Sequence, residues 1–442
     1  MRVRRRTLLR AGLAAATATL LSRPALAHAG NLGGTDAGGA IPLWLVAITG
    51  GGIVGVSFLF ATFVTDHDAI RRVNAVGRAV GVAGLVTVLV SGLAGPADRT
   101  TNLAILLVWG GWWAGYTISV YLVGDTWPVV NPWRTLAAVL PAPDRRVPER
   151  YGVWPSVAGL LALVWIEVVS PLAQDPRLLA GVVLAYTLVT LGGAARYVDW
   201  FERVDPVTRA FHTFGRVAPV QFDDGIELRL PGAALTDAPD GRDETPFVVA
   251  LLWATTFDGL VTTPEWNAAL GGLDDAGIPG LPLYVLALVG GYWLFYRAYL
   301  VASRRSPESA DSFVTPRALA RRFAPALLPI AAGYHFAHFL GYFLTLSPAL
   351  AAALATPLAP VADPRVAVLP GWFGPLRLAF IVLGHVVAIW VAHAVAFEVF
   401  PGRLRPIRSQ YPYAVVMIFY TSVSMWIIAR PYVAPTNLGL LP

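Results

Sequence analysis

Residues 323–346 read FAPALLPIAAGYHFAHFLGYFLTL, a run without a single formal charge. An α-helix advances about 1.5 Å per residue, so about 20 such residues cross the hydrocarbon of a bilayer. The run is therefore read as a membrane-spanning helix. Comparable apolar runs fall at 42–64, 77–96, 102–123, 153–172, 177–195, 246–263, 281–302, 375–399 and 411–430. Together they predict an all-α fold, a polytopic helical membrane protein of about ten transmembrane helices. The run at 246–263 is short and carries Asp258; it either spans or forms a re-entrant half-helix.

Composition agrees with this reading: 56% of residues are hydrophobic, 14% are charged and 15 are Trp, a membrane balance rather than that of a water-soluble domain. With no Cys and no Lys, the chain cannot form disulfides, thiolate metal sites or lysine Schiff bases, and three Met give little basis for a thioether relay for Cu(I). The net charge of +6 comes from the first 27 residues, which hold six of the 33 basic residues and no acid; the remainder carries 27 of each sign. The basic balance is thus no argument for nucleic acid.

Those 27 residues read as a cleavable export signal: arginines, then an apolar run at 11–21, then Ala25-Leu26-Ala27. Arg5-Arg6-Thr7-Leu8-Leu9-Arg10 also fits a twin-arginine pattern. Cleavage would leave His28 as the new N-terminus, where amine and imidazole together suit Cu(II); the alternative is a histidine that merely adjoins the cleavage site. The remaining chain, 28–442, is read as one membrane domain. Loops 65–76, 124–152, 196–245, 303–322 and 400–410 are rich in Arg, and the alternate loops are not. The positive-inside rule then places His28 and the C-terminus outside a prokaryotic plasma membrane and the arginine loops in the cytoplasm.

Two of those loops, 124–152 and 196–245, look structured. Asn131-Pro132 and Asp205-Pro206 are each an N-cap followed by Pro at the first helical position. The first predicts a short helix lying on the membrane surface. Residues 223–232 alternate and predict a small strand or hairpin. Gly111 and Gly115, four apart, predict a close helix contact. The tryptophans of WGGWWAGYTISVY (109–121), with Trp253, Trp293, Trp390 and Trp426, line an apolar pocket or anchor and pack the helices.

Ionisable side chains inside spans are costly, so each marks a candidate site. They are Glu167, Asp258, His335, His338, His385 and His393, with Glu398 and Arg430 near span ends. At about 1.5 Å per residue, Glu167, Asp258, His335, His338 and His385 share the middle to outer half of the membrane, while His393 lies about three turns away. Carboxylates with imidazoles suit a divalent metal such as Zn, Cu, Mn or Fe. The same layer also suits a proton or substrate relay, or polar contacts between helices. The partners are the lipid bilayer and either a lipophilic small molecule or a cation.

Several stretches together resemble the polytopic prokaryotic membrane proteins labelled fenitrothion hydrolase: GDTWPVVNPWRTLA (124–137), ATTFDGLVTTPEW (254–266), AHF (337–339), GHVVAIWVAH (384–393) and YTSVSMWIIARP (420–431). The opening HAGNLGGTDAGGAIPLWL (28–45) is similar too. The resemblance covers most of the mature chain and implies metal-dependent hydrolysis of lipophilic phosphotriesters. It points to Asp258, His338, His385 and His393, with Glu167 as ligand or base. Where the family often has an acid followed by Arg after the position of His393, this chain has Ala394-Val395.

Overall fold

The computed structural model of the chain describes residues 67–222, 227–238, 243–359, 364–428, 430, 431 and 433. The signal at 1–27, His28 and the run at 42–64 lie outside them. The described residues are mostly helical: α1 (His67–Ala94), α2 (Leu103–Val123), α3 (Pro132–Ala137), α4 (Trp154–Val169), α5 (Pro176–Arg196), α6 (Pro206–Gly215), α7 (Thr245–Leu260), α8 (Pro264–Asp275), α9 (Leu281–Ala310), α10 (Pro316–Phe323), α11 (Leu328–Ala355), α12 (Phe373–Val399) and α13 (Leu404–Ile428). Two short strands, Val220–Gln221 and Glu227–Leu228, pair antiparallel where the alternating stretch predicts a hairpin.

Among the described residues, six helical stretches are long and apolar enough to cross a membrane: α1, α2, α5, α9, α10 running into α11, and α12. The bent pair α7 and α8 makes a seventh if it is one span. These helices expose Val86, Val90, Leu188, Leu294, Leu383 and Ile389, as lipid-facing surfaces do. The run at 153–172 is a shorter helix, α4, of 16 residues. It stops at Ser170 because the residue before Pro171 is driven into extended backbone.

Helix α7 is the centre of the molecule and packs against α4, α9, α11 and α13. Thirteen of its 16 residues are buried, as expected of a helix apolar on every side. It ends at Thr263-Pro264, where Thr263 caps α8 through the Trp266 amide at 3.2 Å and the axis turns by 70°. The break is held from outside by the Val433 amide on the Thr262 carbonyl at 2.8 Å and by Arg430 on Glu265 at 3.0 Å. Asp258 thus stands about one turn before a bend in a largely buried helix.

The helix at Asn131-Pro132 forms as predicted, with Asn131 accepting from the Arg134 amide at 3.0 Å, but it does not lie on the surface. Asn131 is fully buried, Trp133 is buried, and Trp133 donates to Thr187 of α5 at 2.8 Å. The second cap meets the first. Asp205 accepts from the Val207 amide at 3.0 Å, from the Thr208 hydroxyl at 2.7 Å and from Tyr186. The Thr208 hydroxyl in turn accepts from Asn131 at 3.1 Å and from Trp127 at 3.3 Å. Two starts separated in sequence therefore close one buried polar junction. Gly115 does provide the expected contact: a side chain there would meet the Phe343 ring at 2.6 Å.

Candidate functional site

Helix α7 packs on α4 and brings Asp258 within electrostatic reach of Glu167 of that helix. Around them stand Tyr334 and Tyr342 of α11. Tyr334 lies within electrostatic reach of both Asp258 and Arg377, and Tyr342 within that of both Glu167 and Arg99. The result is an acid pair bracketed by two tyrosines, with an arginine beyond each. The Tyr334 hydroxyl approaches Gly259, where a side-chain carbon would sit 3.1 Å from it. His338 stacks on the Tyr334 ring, centroids 5.6 Å apart at 14°.

Close helix approach sets these positions. Gly333 and Gly384 face each other where α11 crosses α12, and a side chain on Gly333 would reach the Phe380 carbonyl at 2.5 Å. One turn farther along α11, Arg377 of α12 donates from Nε to the Ala337 carbonyl at 2.5 Å. That bond bridges the two helices beside the acid pair.

The other histidines diverge from it. His335 is 2% exposed and packed among Trp113, Tyr121, Phe214 and Phe339, with ring centroids 4.4 to 6.2 Å away. Its Nε2 is buried without a hydrogen-bond partner, which costs about 1–3 kcal/mol. His385 places Nδ1 2.8 Å from the Ile381 carbonyl and Nε2 2.8 Å from the Thr421 hydroxyl. A carbonyl only accepts, so Nδ1 carries the hydrogen and Nε2 accepts from Thr421. The ring joins α12 to α13 rather than facing Asp258. His393 stands apart, 3.3 Å from Gln410 and against Phe397. The single layer expected from depth is thus divided: Asp258 and His338 lie near Tyr334, Glu167 is within electrostatic reach of Asp258 and Tyr342, and His335 and His385 have separate surroundings. Among the described residues no three of His, Cys, Asp or Glu gather to hold a metal ion.

Of the two residues near span ends, Glu398 pairs with Arg322 and Arg430 with Glu265. Sequence reading missed Arg377 and Arg99. The signal for Arg377 is an arginine three positions inside the run 375–399; Arg99, in a short loop, carries none.

No protein-family model matches the chain, and neither a curated protein nor a solved structure matches it.

Proposed function

We propose that this chain is a proton-coupled membrane transporter of ten spans in a prokaryotic plasma membrane, with Glu167 and Asp258 as its proton-binding pair. One observation carries the reading: two carboxylates from different, packed helices lie within electrostatic reach of each other in the apolar bundle. Like charges repel strongly where the dielectric is low, so such a pair is suited to sharing a proton and to changing its affinity as the helices move. The bend after Leu260 supplies a joint beside Asp258, and broken helices at bilayer depth are the usual seat of transported ions. Tyr334 and Tyr342 offer hydroxyls for passing the proton on, and Arg377 and Arg99 balance charge when the pair ionises.

The resemblance to the fenitrothion hydrolase group implies another activity, in which a metal-bound hydroxide attacks a phosphotriester. The arrangement of ligands favours transport over this reading: His335 is enclosed by rings, His385 is bonded at both nitrogens, and among the described residues no triad of ligands gathers. The test uses the full chain in liposomes with an entrapped pH dye, under an imposed membrane potential and a panel of lipophilic and cationic solutes. Proton movement above that of empty liposomes is expected, lost in both Glu167→Gln and Asp258→Asn. Flux unaltered by both substitutions, or phosphotriester cleavage without flux, overturns the reading.

A further inference from the structure

At the end of the bundle opposite the bend of α7, a cleft of about 800 Å³ opens between α4, α6, α7, α9 and α10. Arg150, Arg203, Arg209, Arg304 and Arg317 line it, against Glu149 and Asp243. Three of the arginines have acidic partners: Arg203 with Asp199 at 2.9 Å, Arg209 with Glu244, and Arg317 with Asp243 at 3.7 Å. Arg150 meets only the Tyr151 ring and hydroxyl, and neither it nor Arg304 is ion-paired among the described residues.

Three helix starts converge on the same space. Trp154 opens α4, Thr245 opens α7 and Pro316 opens α10, and all three line the cleft. Neither Val153 nor Glu244, the capping positions of α4 and α7, bonds its side chain to the first turn. The start of α7 is met by Asp243, which accepts from the Thr245 amide at 3.2 Å, and by the Glu244 carbonyl, which accepts from the Phe247 amide at 3.0 Å; the start of α4 has no side-chain cap, and its partial positive charge favours an anion. A second feature is independent of these. The Thr245 hydroxyl is buried, its residue 1% exposed, and has no hydrogen-bond partner. A buried polar group left unmatched beside arginines asks for a ligand that accepts or donates there.

The rim sets the depth. Trp154 stacks on Trp293 at 5.7 Å and meets Tyr296 edge-on at 5.8 Å. Trp and Tyr in such a belt sit at the level of lipid headgroups. Planar guanidinium groups match phosphate oxygens in pairs, and basic pockets between helices at this level hold lipid phosphates.

We infer that the cleft is a binding site for a phosphate-bearing anion, seated between Arg150, Arg304, the start of α4 and the Thr245 hydroxyl. The site is independent of the acid pair. The test is the unfolding temperature of the full chain in detergent, titrated separately with phosphatidylglycerol, phosphatidylcholine and inorganic phosphate. Phosphatidylglycerol or inorganic phosphate should stabilise the protein, and zwitterionic phosphatidylcholine should not. A response to the lipid alone makes the source a headgroup; a response to phosphate alone makes it a soluble anion. Combining Arg150→Gln with Arg304→Gln should weaken binding about tenfold or more. Arg305→Gln, on a side chain that pairs with Glu308 outside the cleft, should leave binding unchanged. Arg304→Gln alone, at an exposed position, serves if the double variant fails to fold. No response to either probe, or an isotherm that these substitutions leave intact, overturns the inference.

Discussion

Two buried polar clusters of this molecule are built on opposite plans. At the Asp205 junction a carboxylate accepts from a backbone amide and two hydroxyls, and Thr208 joins it to Asn131 and Trp127. At the Glu167–Asp258 pair two acids of the same charge lie within electrostatic reach of each other. The first arrangement lowers the energy of the fold; the second adds energy that only a proton or a changed geometry can release. Both contain buried acids, so burial alone does not separate structure from function. The partners do.

Neutralising an acid should therefore have opposite consequences at the two places. The largest stability effect is expected for Asp205→Ala. It removes a helix cap, worth about 1 kcal/mol, and orphans the hydroxyls of Tyr186 and Thr208, at about 1 kcal/mol or more each. Unfolding in detergent should show a loss of about 3 kcal/mol. Glu167→Gln should instead leave stability within about 0.5 kcal/mol or raise it, because a like-charge repulsion disappears. If Glu167→Gln costs as much as Asp205→Ala, the contrast fails and the acid pair is a structural contact.

A smaller effect is expected at the joint between α12 and α13. Thr421→Val removes the hydroxyl that serves His385 Nε2, and hydrogen bonds between membrane helices are worth about 0.6–1 kcal/mol. A loss of that size in the same unfolding assay, without loss of proton flux, would keep His385 out of the proton path.

The smallest effect is a slope. Burial holds the Asp205 carboxyl above the usual carboxylate range, and hydrogen bonds from Tyr186, Thr208 and Val207 oppose that rise. The folded state then binds this proton more tightly than the unfolded chain does. Stability from this group falls as pH rises from about 4, the ordinary value, through the raised one. Thermal unfolding across that interval should show the decline in the wild type and a flatter profile in Asp205→Asn.

The sequence by itself determined the helices and their ends. Apolar length marked 103–123, 176–196 and 373–399 to within a few residues, and Asn131-Pro132 and Asp205-Pro206 start helices with side-chain caps. These features depend on transfer into lipid and on bonds reaching no more than three residues, so they are local and legible. Counting residues along each run also gave an expected depth for Glu167, Asp258, His335, His338 and His385. Rotation about the helix axis was not contained in that count. Equal depth brought His335, His385 and Asp258 into one expected layer, while packing turned His335 into aromatic rings and His385 toward Thr421. Likewise the short helix at Asn131 is amphipathic enough for a membrane surface, yet the Thr208 hydroxyl and α5 draw it inside. Only the tertiary structure decided that Glu167 comes within electrostatic reach of Asp258 and that five arginines from distant loops surround one cleft. Azimuth and loop placement are set by which faces fit together across the bundle, and that fit is a property of all the helices at once.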